Sequence, residues 1–112
     1  MKVGNCKKIY LQKLGFNSLE ECLRDNKYLY IGRDMSYFVK GAKGSKWQNP
    51  FSVKQYGREE CLNKYRKYIL DNVELMNSLH ELKGKTLMCW CHPDSCHGDI
   101  LMELVKKIDL NI

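Results

Sequence analysis

Apolar residues return every three or four positions in several stretches of this chain, crowd together in two short ones, and lose all period between residues 32 and 53. From 57 to 70, Cys61, Leu62, Tyr65, Tyr68 and Ile69 recur at helical spacing while Arg58, Glu59, Lys64, Arg66 and Lys67 fill the other side, which predicts a helix with both tyrosines in the core. Leu75, Met76, Leu79 and Leu82 predict a second helix, stopped by Gly84, with His80 on its polar side. Ile100, Leu101, Leu104, Val105 and Ile108 share one face of a third. Ser18 followed by Glu21 forms a capping box, so a shorter helix should run through Leu19, Cys22 and Leu23 to about Asp25. The two dense stretches, 27–31 and 86–90, are aromatic or apolar and read as strands, the first of them central. Residues 8–11 predict another short strand near the start.

Two helices between the two dense strands supply a right-handed crossover, so those strands should be parallel neighbours or next-neighbours. The fold class expected is α/β: a small single-domain Rossmann-like three-layer fold with a short, mainly parallel sheet. At 112 residues the chain should form one domain over 1–112, with 1–26 as a variable strand and helix segment and 27–108 as the core.

The aperiodic stretch changes this picture because a loop of that length in so small a domain is functional or disordered, and its Tyr37, Phe38, Trp47 and Phe51 argue for order. The second focus is KTLMCWCHPDSCHGDIL, residues 85–101, which reads as strand, loop and helix. There Cys89 and Cys91 share one side of the strand end, and Cys96 and His97 fall in the first helical turn, capped by Asp94 or Ser95. Unpaired backbone N–H groups and the helix dipole favour an anion at such a place, either a thiolate or a phosphate.

Three chemistries suit these residues. Cys89, Cys91, Cys96 and His97 are zinc-type ligands, with His92 in reserve, but neighbouring residues of a helical turn diverge by about 100°, so zinc is not the favoured cofactor. Cys96 beside His97, with Asp99 one turn along, forms a candidate catalytic group built on a thiolate. The favoured reading is a binding pocket beyond the strands' carboxyl ends, between Arg33 with the 44–51 loop and the 96–99 helix start. Its candidate ligand-binding residues are Arg33, Ser45, Lys46, Trp47, Asn49, Cys89 and Cys91. Arg33 and Lys46 would hold a phosphate, Trp47 would stack on a ring, and Asn49 would bond a base or sugar. The competing account is that Trp47, Asn49 and Pro50 fix the loop internally, since an Asn before a proline is a turn former.

Tyr30-Ile31-Gly32-Arg33, then 44–51 (GSKWQNPF), then Cys89-Trp90-Cys91 with Pro93, then Cys96-His97-Gly98-Asp99 resemble, in that order, the motifs of the domain-of-unknown-function family numbered 4326. The resemblance covers roughly 27–105. The segment before Lys27 is similar to the version in members from large DNA viruses and phages, so a viral source is expected. What the resemblance implies is a fold and a site, without an activity.

Charge and cysteine content refine the expected partners. A formal charge of +6 admits a nucleotide-like small molecule or nucleic acid as partner, although the lysines are scattered enough to form a solvated face. The first residues lack the apolar region of a signal peptide and no run is long enough to span a membrane, so a cytoplasmic or host-cell interior location, with reduced cysteines, is expected. Cys22 and Cys61 are read as core residues, and Cys6 receives no role. The functional expectation is a Rossmann-like domain that binds a nucleotide-like or other phosphorylated small molecule and hydrolyses or transfers it if it is an enzyme. The alternative is a small basic interaction module, zinc-stabilised or not, acting on nucleic acid or a host protein.

Overall fold

The computed structural model describes residues 1–91 and 94–110. His92, the reserve ligand, and Pro93, the turn proline, lie outside the described residues. The element order is β1 (Lys2–Asn5), α1 (Lys8–Lys13), α2 (Leu19–Leu23), β2 (Tyr28–Tyr30), α3 (Val53–Tyr56), α4 (Arg58–Leu70), α5 (Val73–Ser78), a 3₁₀ turn at Leu79–Leu82, β3 (Thr86–Cys89) and α6 (His97–Leu110).

The three strands form one parallel sheet in the order β1-β3-β2, with Lys2 and Tyr28 both opposite Thr86. The parallel pairing of β2 and β3 is the one the crossover predicts. β3 is central because Leu87, Met88 and Cys89 are all buried, as a strand covered on both faces must be. The expectation that β2 is central is corrected: Tyr28 and Leu29 are only half-buried, and β2 forms an edge.

Alternation along β3 sends its side chains to two separate apolar clusters. Leu87 and Cys89 pack with Tyr65 and Ile69 of α4, Leu75 of α5, and Leu101, Leu104 and Val105 of α6. Met88 packs instead with Leu11 of α1, Leu19 and Cys22 of α2, and Tyr30. Burying Leu101, Leu104 and Val105 contributes about 1.5–3 kcal/mol each, which fixes α6 on the sheet. Gly98 permits the closeness of that fit, since a Cβ there would lie 2.9 Å from Ile31 Cδ1 and 3.1 Å from Val3 Cγ2.

Two further expectations need correction. Residues 8–11 are helical rather than a strand, and the first strand is Lys2–Asn5. Asn5 Oδ1 accepts the Lys7 N–H at 2.8 Å and closes that strand, after which Leu11 alone is buried, one residue per turn instead of every second one. In α4, Cys61, Tyr65 and Ile69 make the buried stripe while Tyr68 is 36% exposed at its margin, stacked edge-on to Phe51. Ser18 Oγ accepts the Glu21 N–H at 3.1 Å, as the capping box requires. No helix among the described residues is long and apolar enough to cross a membrane.

Candidate functional site

β2 and β3 end side by side, and pairing continues one step further as the Ile31 N–H donates to the Met88 carbonyl at 2.9 Å. Past that point one chain leads into Gly32 and Arg33 and the other into Trp90 and Cys91. A cavity of about 610 Å³ opens between them, with Arg33, Asn49, Cys89, Cys91 and His97 on its lining and Pro50, Phe51 and Trp90 as apolar walls. Lys54, from the first turn of α3, adds a second cation. A more open depression of about 760 Å³ lies where α4 meets α5, among Lys64, Tyr68 and Val73, and holds none of the expected site residues.

Cys89 and Cys91 are on the cavity lining, and Cys96 lies next to Cys89. Cys89 Sγ lies 3.0 Å from Cys96 Sγ, and the Gly98 N–H points at Cys96 Sγ from 3.2 Å. The hydrogen bond from Cys89 holds the Cys96 thiol below its usual pKa, helped by the Gly98 N–H and opposed by burial. For Cys89, a hydrogen bond from Cys91 pulls down, but the bond it gives to Cys96 and its burial outweigh that and push it up to about 11. Cys91 is pushed up by the hydrogen bond it gives to Cys89 and then by burial, against the pull of the Arg58 guanidinium.

His97 is tied to the other strand. Its Nε2 lies 2.6 Å from the Ile31 carbonyl oxygen, which can only accept, so Nε2 carries the proton and the neutral ring keeps Nδ1 as an acceptor. Burial holds its pKa below the ordinary histidine value, against the Ile31 carbonyl and Asp99. The ring packs edge-on against Tyr65, with centroids 5.0 Å apart.

Several candidates take up other positions. Ser45 Oγ donates to the Tyr30 carbonyl and receives the Trp47 N–H, bracing the loop to the end of β2. Lys46 Nζ pairs with Glu81 at 2.8 Å and is not on the cavity lining, because the loop turns its side chain toward the 3₁₀ segment. Trp47 is 2% exposed in the larger apolar cluster, out of reach for stacking on a ligand. Asn49 borders the cavity, yet its Oδ1 accepts the Phe51 N–H at 2.9 Å and its Nδ2 lies 3.2 Å from Cys61 Sγ, so its amide shapes the Asn-Pro turn. Cys96 is buried with its sulfur turned toward Cys89, and Asp99 Oδ2 accepts the Cys96 N–H at 3.0 Å as a helix-start contact. The single concave surface expected of Arg33, Lys46, Trp47, Asn49, Cys96, His97 and Asp99 thus reduces to Arg33, Asn49 and His97, joined by Cys89 and Cys91. Among the described residues no group of three or more His, Cys, Asp or Glu is arranged to hold a metal ion.

Lys54 is the site residue that sequence reasoning passed over. Its signal was local: Ser52 Oγ accepts the Gln55 N–H and starts a one-turn helix directly after the Asn-Pro turn. Arg58, at the start of α4, donates to the Ser95 carbonyl and so clasps the segment that leads into α6.

Compared with known proteins, residues 18–107 match the family described as a domain of unknown function (DUF4326). The chain is 41% identical over 90 residues to an uncharacterised protein of Acanthamoeba polyphaga mimivirus, a match covering 72% of this chain and 68% of that protein. It is 29% identical over 70 residues to an uncharacterised 12.4 kDa protein from the nrdA-td intergenic region of Enterobacteria phage T4, covering 59% of this chain and 65% of that one. No solved structure matches the chain.

Proposed function

Since the chain belongs to the family described as a domain of unknown function (DUF4326), we propose from its own geometry that it is a Rossmann-like three-layer domain binding a nucleotide-like or other phosphorylated small molecule. The observation that carries this reading is one cavity of about 610 Å³ combining apolar walls with the cations Arg33 and Lys54 and the ring of His97. Its size lies in the range of small-molecule sites, and its place beyond parallel strand ends is where open α/β sheets take ligands. Phe51, Pro50 and Trp90 suit a flat ring. Arg33 and Lys54, neither in an ion pair among the described residues, suit a phosphate. His97 Nδ1 suits an N–H or O–H of the ligand. With viral and phage relatives, the setting proposed is the interior of an infected cell.

A thermal-shift screen of nucleotides and nucleotide sugars tests this. A true ligand at a hundred times its Kd stabilises the fold by about 2.7 kcal/mol. Arg33→Ala and Lys54→Ala should weaken the phosphorylated ligand and leave the matching nucleoside unaffected. The reading is abandoned if no compound shifts the transition, or if both variants bind the hit with unchanged affinity.

One observation favours the alternative of a basic interaction module. Tyr37 and Phe38 stand 93% and 81% exposed as an edge-to-face pair, an arrangement on which single-stranded bases stack. An oligonucleotide added to the same screen separates the two readings: Tyr37→Ala and Phe38→Ala would weaken its binding only under the second.

A further inference from the structure

We propose that Cys89 and Cys96 form a dithiol redox site whose substrate is a small-molecule disulfide that enters through the cavity. Both residues are free thiols, and their sulfurs face each other at 3.0 Å across the gap between the end of β3 and the start of α6. Side chains aimed at one another in this way need a movement of only about 1 Å to reach the bonded separation of a disulfide. Both are buried, but they are not equivalent: Cys89 is on the cavity lining and Cys96 is not. That difference sets an order of events.

In the first step Cys96, its own proton lost to solvent, takes the Cys89 proton as the Cys89 sulfur attacks one sulfur of the incoming disulfide RSSR. An S–S bond forms between Cys89 and R, and one thiolate leaves. That thiolate takes the proton from Cys96. In the second step the Cys96 thiolate attacks the Cys89 sulfur of the mixed disulfide and expels the second RS⁻, which is protonated by solvent. RSSR and two cysteine thiols have become two RSH and one intramolecular disulfide, a two-electron exchange in balance. The Gly98 N–H at 3.2 Å and the hydrogen bond from Cys89 both favour a thiolate at Cys96, the group that must act second. Cys91, also on the cavity lining, is not consumed.

The test is oxidation of the full-length, folded protein with oxidised glutathione, followed by proteolysis without reduction and mass spectrometry. The expected result is loss of two of the six free thiols, a cross-linked peptide joining Cys89 to Cys96, and full recovery with dithiothreitol. Cys91→Ser should form the same cross-link, and Cys96→Ser should stop at a glutathione adduct on Cys89. Retention of all six thiols after prolonged oxidation, or a peptide map joining Cys89 to Cys91 or Cys6, overturns the proposal. Should Cys96→Ser fail to fold, the unmodified chain's peptide map alone decides.

Discussion

The Tyr65 hydroxyl donates to the carbonyl oxygen of Trp47 at 2.6 Å, and both side chains are buried. Burial pushes the Tyr65 pKa up, so the hydroxyl stays protonated and remains a donor. The bond fastens the middle of the long loop to α4 and explains why so irregular a stretch keeps one shape. Tyr65→Phe leaves the Trp47 carbonyl without its partner and should cost about 1–3 kcal/mol. Trp47→Ala removes a large core side chain as well and should cost about 3–5 kcal/mol. Urea unfolding should report both as lower midpoints at unchanged slope. A Trp47→Ala variant as stable as the parent would return that ring to the list of ligand contacts.

The lysines of the loop separate into structure and site. Lys46 and Glu81 are nearly half exposed in their ion pair, so Lys46→Ala should cost no more than about 1 kcal/mol, less in high salt. Because Lys46 points away from the cavity, the same change should leave phosphate-ligand affinity untouched while Arg33→Ala and Lys54→Ala reduce it. Isothermal titration of the three variants against one screened ligand would show this, and a loss confined to Lys46→Ala would reverse the assignment.

Asn49 supports the turn from both ends of its amide, with Phe51 and Cys61 as partners. Asn49→Ala should lower stability by about 1 kcal/mol, read as a melting shift of a few degrees in a chain of this size. Circular dichroism on heating would detect it. A ligand Kd that moves while the melting temperature does not would mean that the amide touches ligand instead.

Local signals made most of the elements legible. The capping box at Ser18, the period of Cys61, Tyr65 and Ile69, and the apolar face of α6 each depend on neighbours in sequence, and each is present in the fold. The parallel pairing of β2 with β3 followed from the crossover alone. Strand order was not legible. Lys2–Asn5 is short, contains Gly4 and has no alternation, so the strand that pushes β2 to the edge left no pattern. At the candidate site, motif density drew attention to a loop that borders the cavity but not to the direction its side chains take. Ser45, Trp47 and Asn49 carry chemistry that serves a ligand or a turn equally well, and the difference lies in partners more than ten residues away, such as Tyr30, Tyr65 and Cys61.

His97 gives a pH dependence with a definite sign. Its pKa in the folded chain lies below the ordinary value of about 6.5, chiefly through burial, so the native state binds its proton less readily than the unfolded chain does. The stabilisation is therefore complete above about pH 6.5 and is lost as pH falls from there toward the folded value, with a slope no steeper than about 1.4 kcal/mol per pH unit for one proton. Most carboxylates titrate lower, near pH 4, which leaves the interval between about 5.5 and 6.5 to report on histidine. His97→Gln keeps an N–H able to donate to the Ile31 carbonyl but carries no titrating ring. Urea unfolding across this interval should show parental stability falling with acidification, and the His97→Gln variant falling distinctly less. Parallel curves for the two proteins would mean that the imidazole is as easily protonated in the native state as in the unfolded one. The neutral, Nε2-protonated ring facing the cavity would then have to be given up.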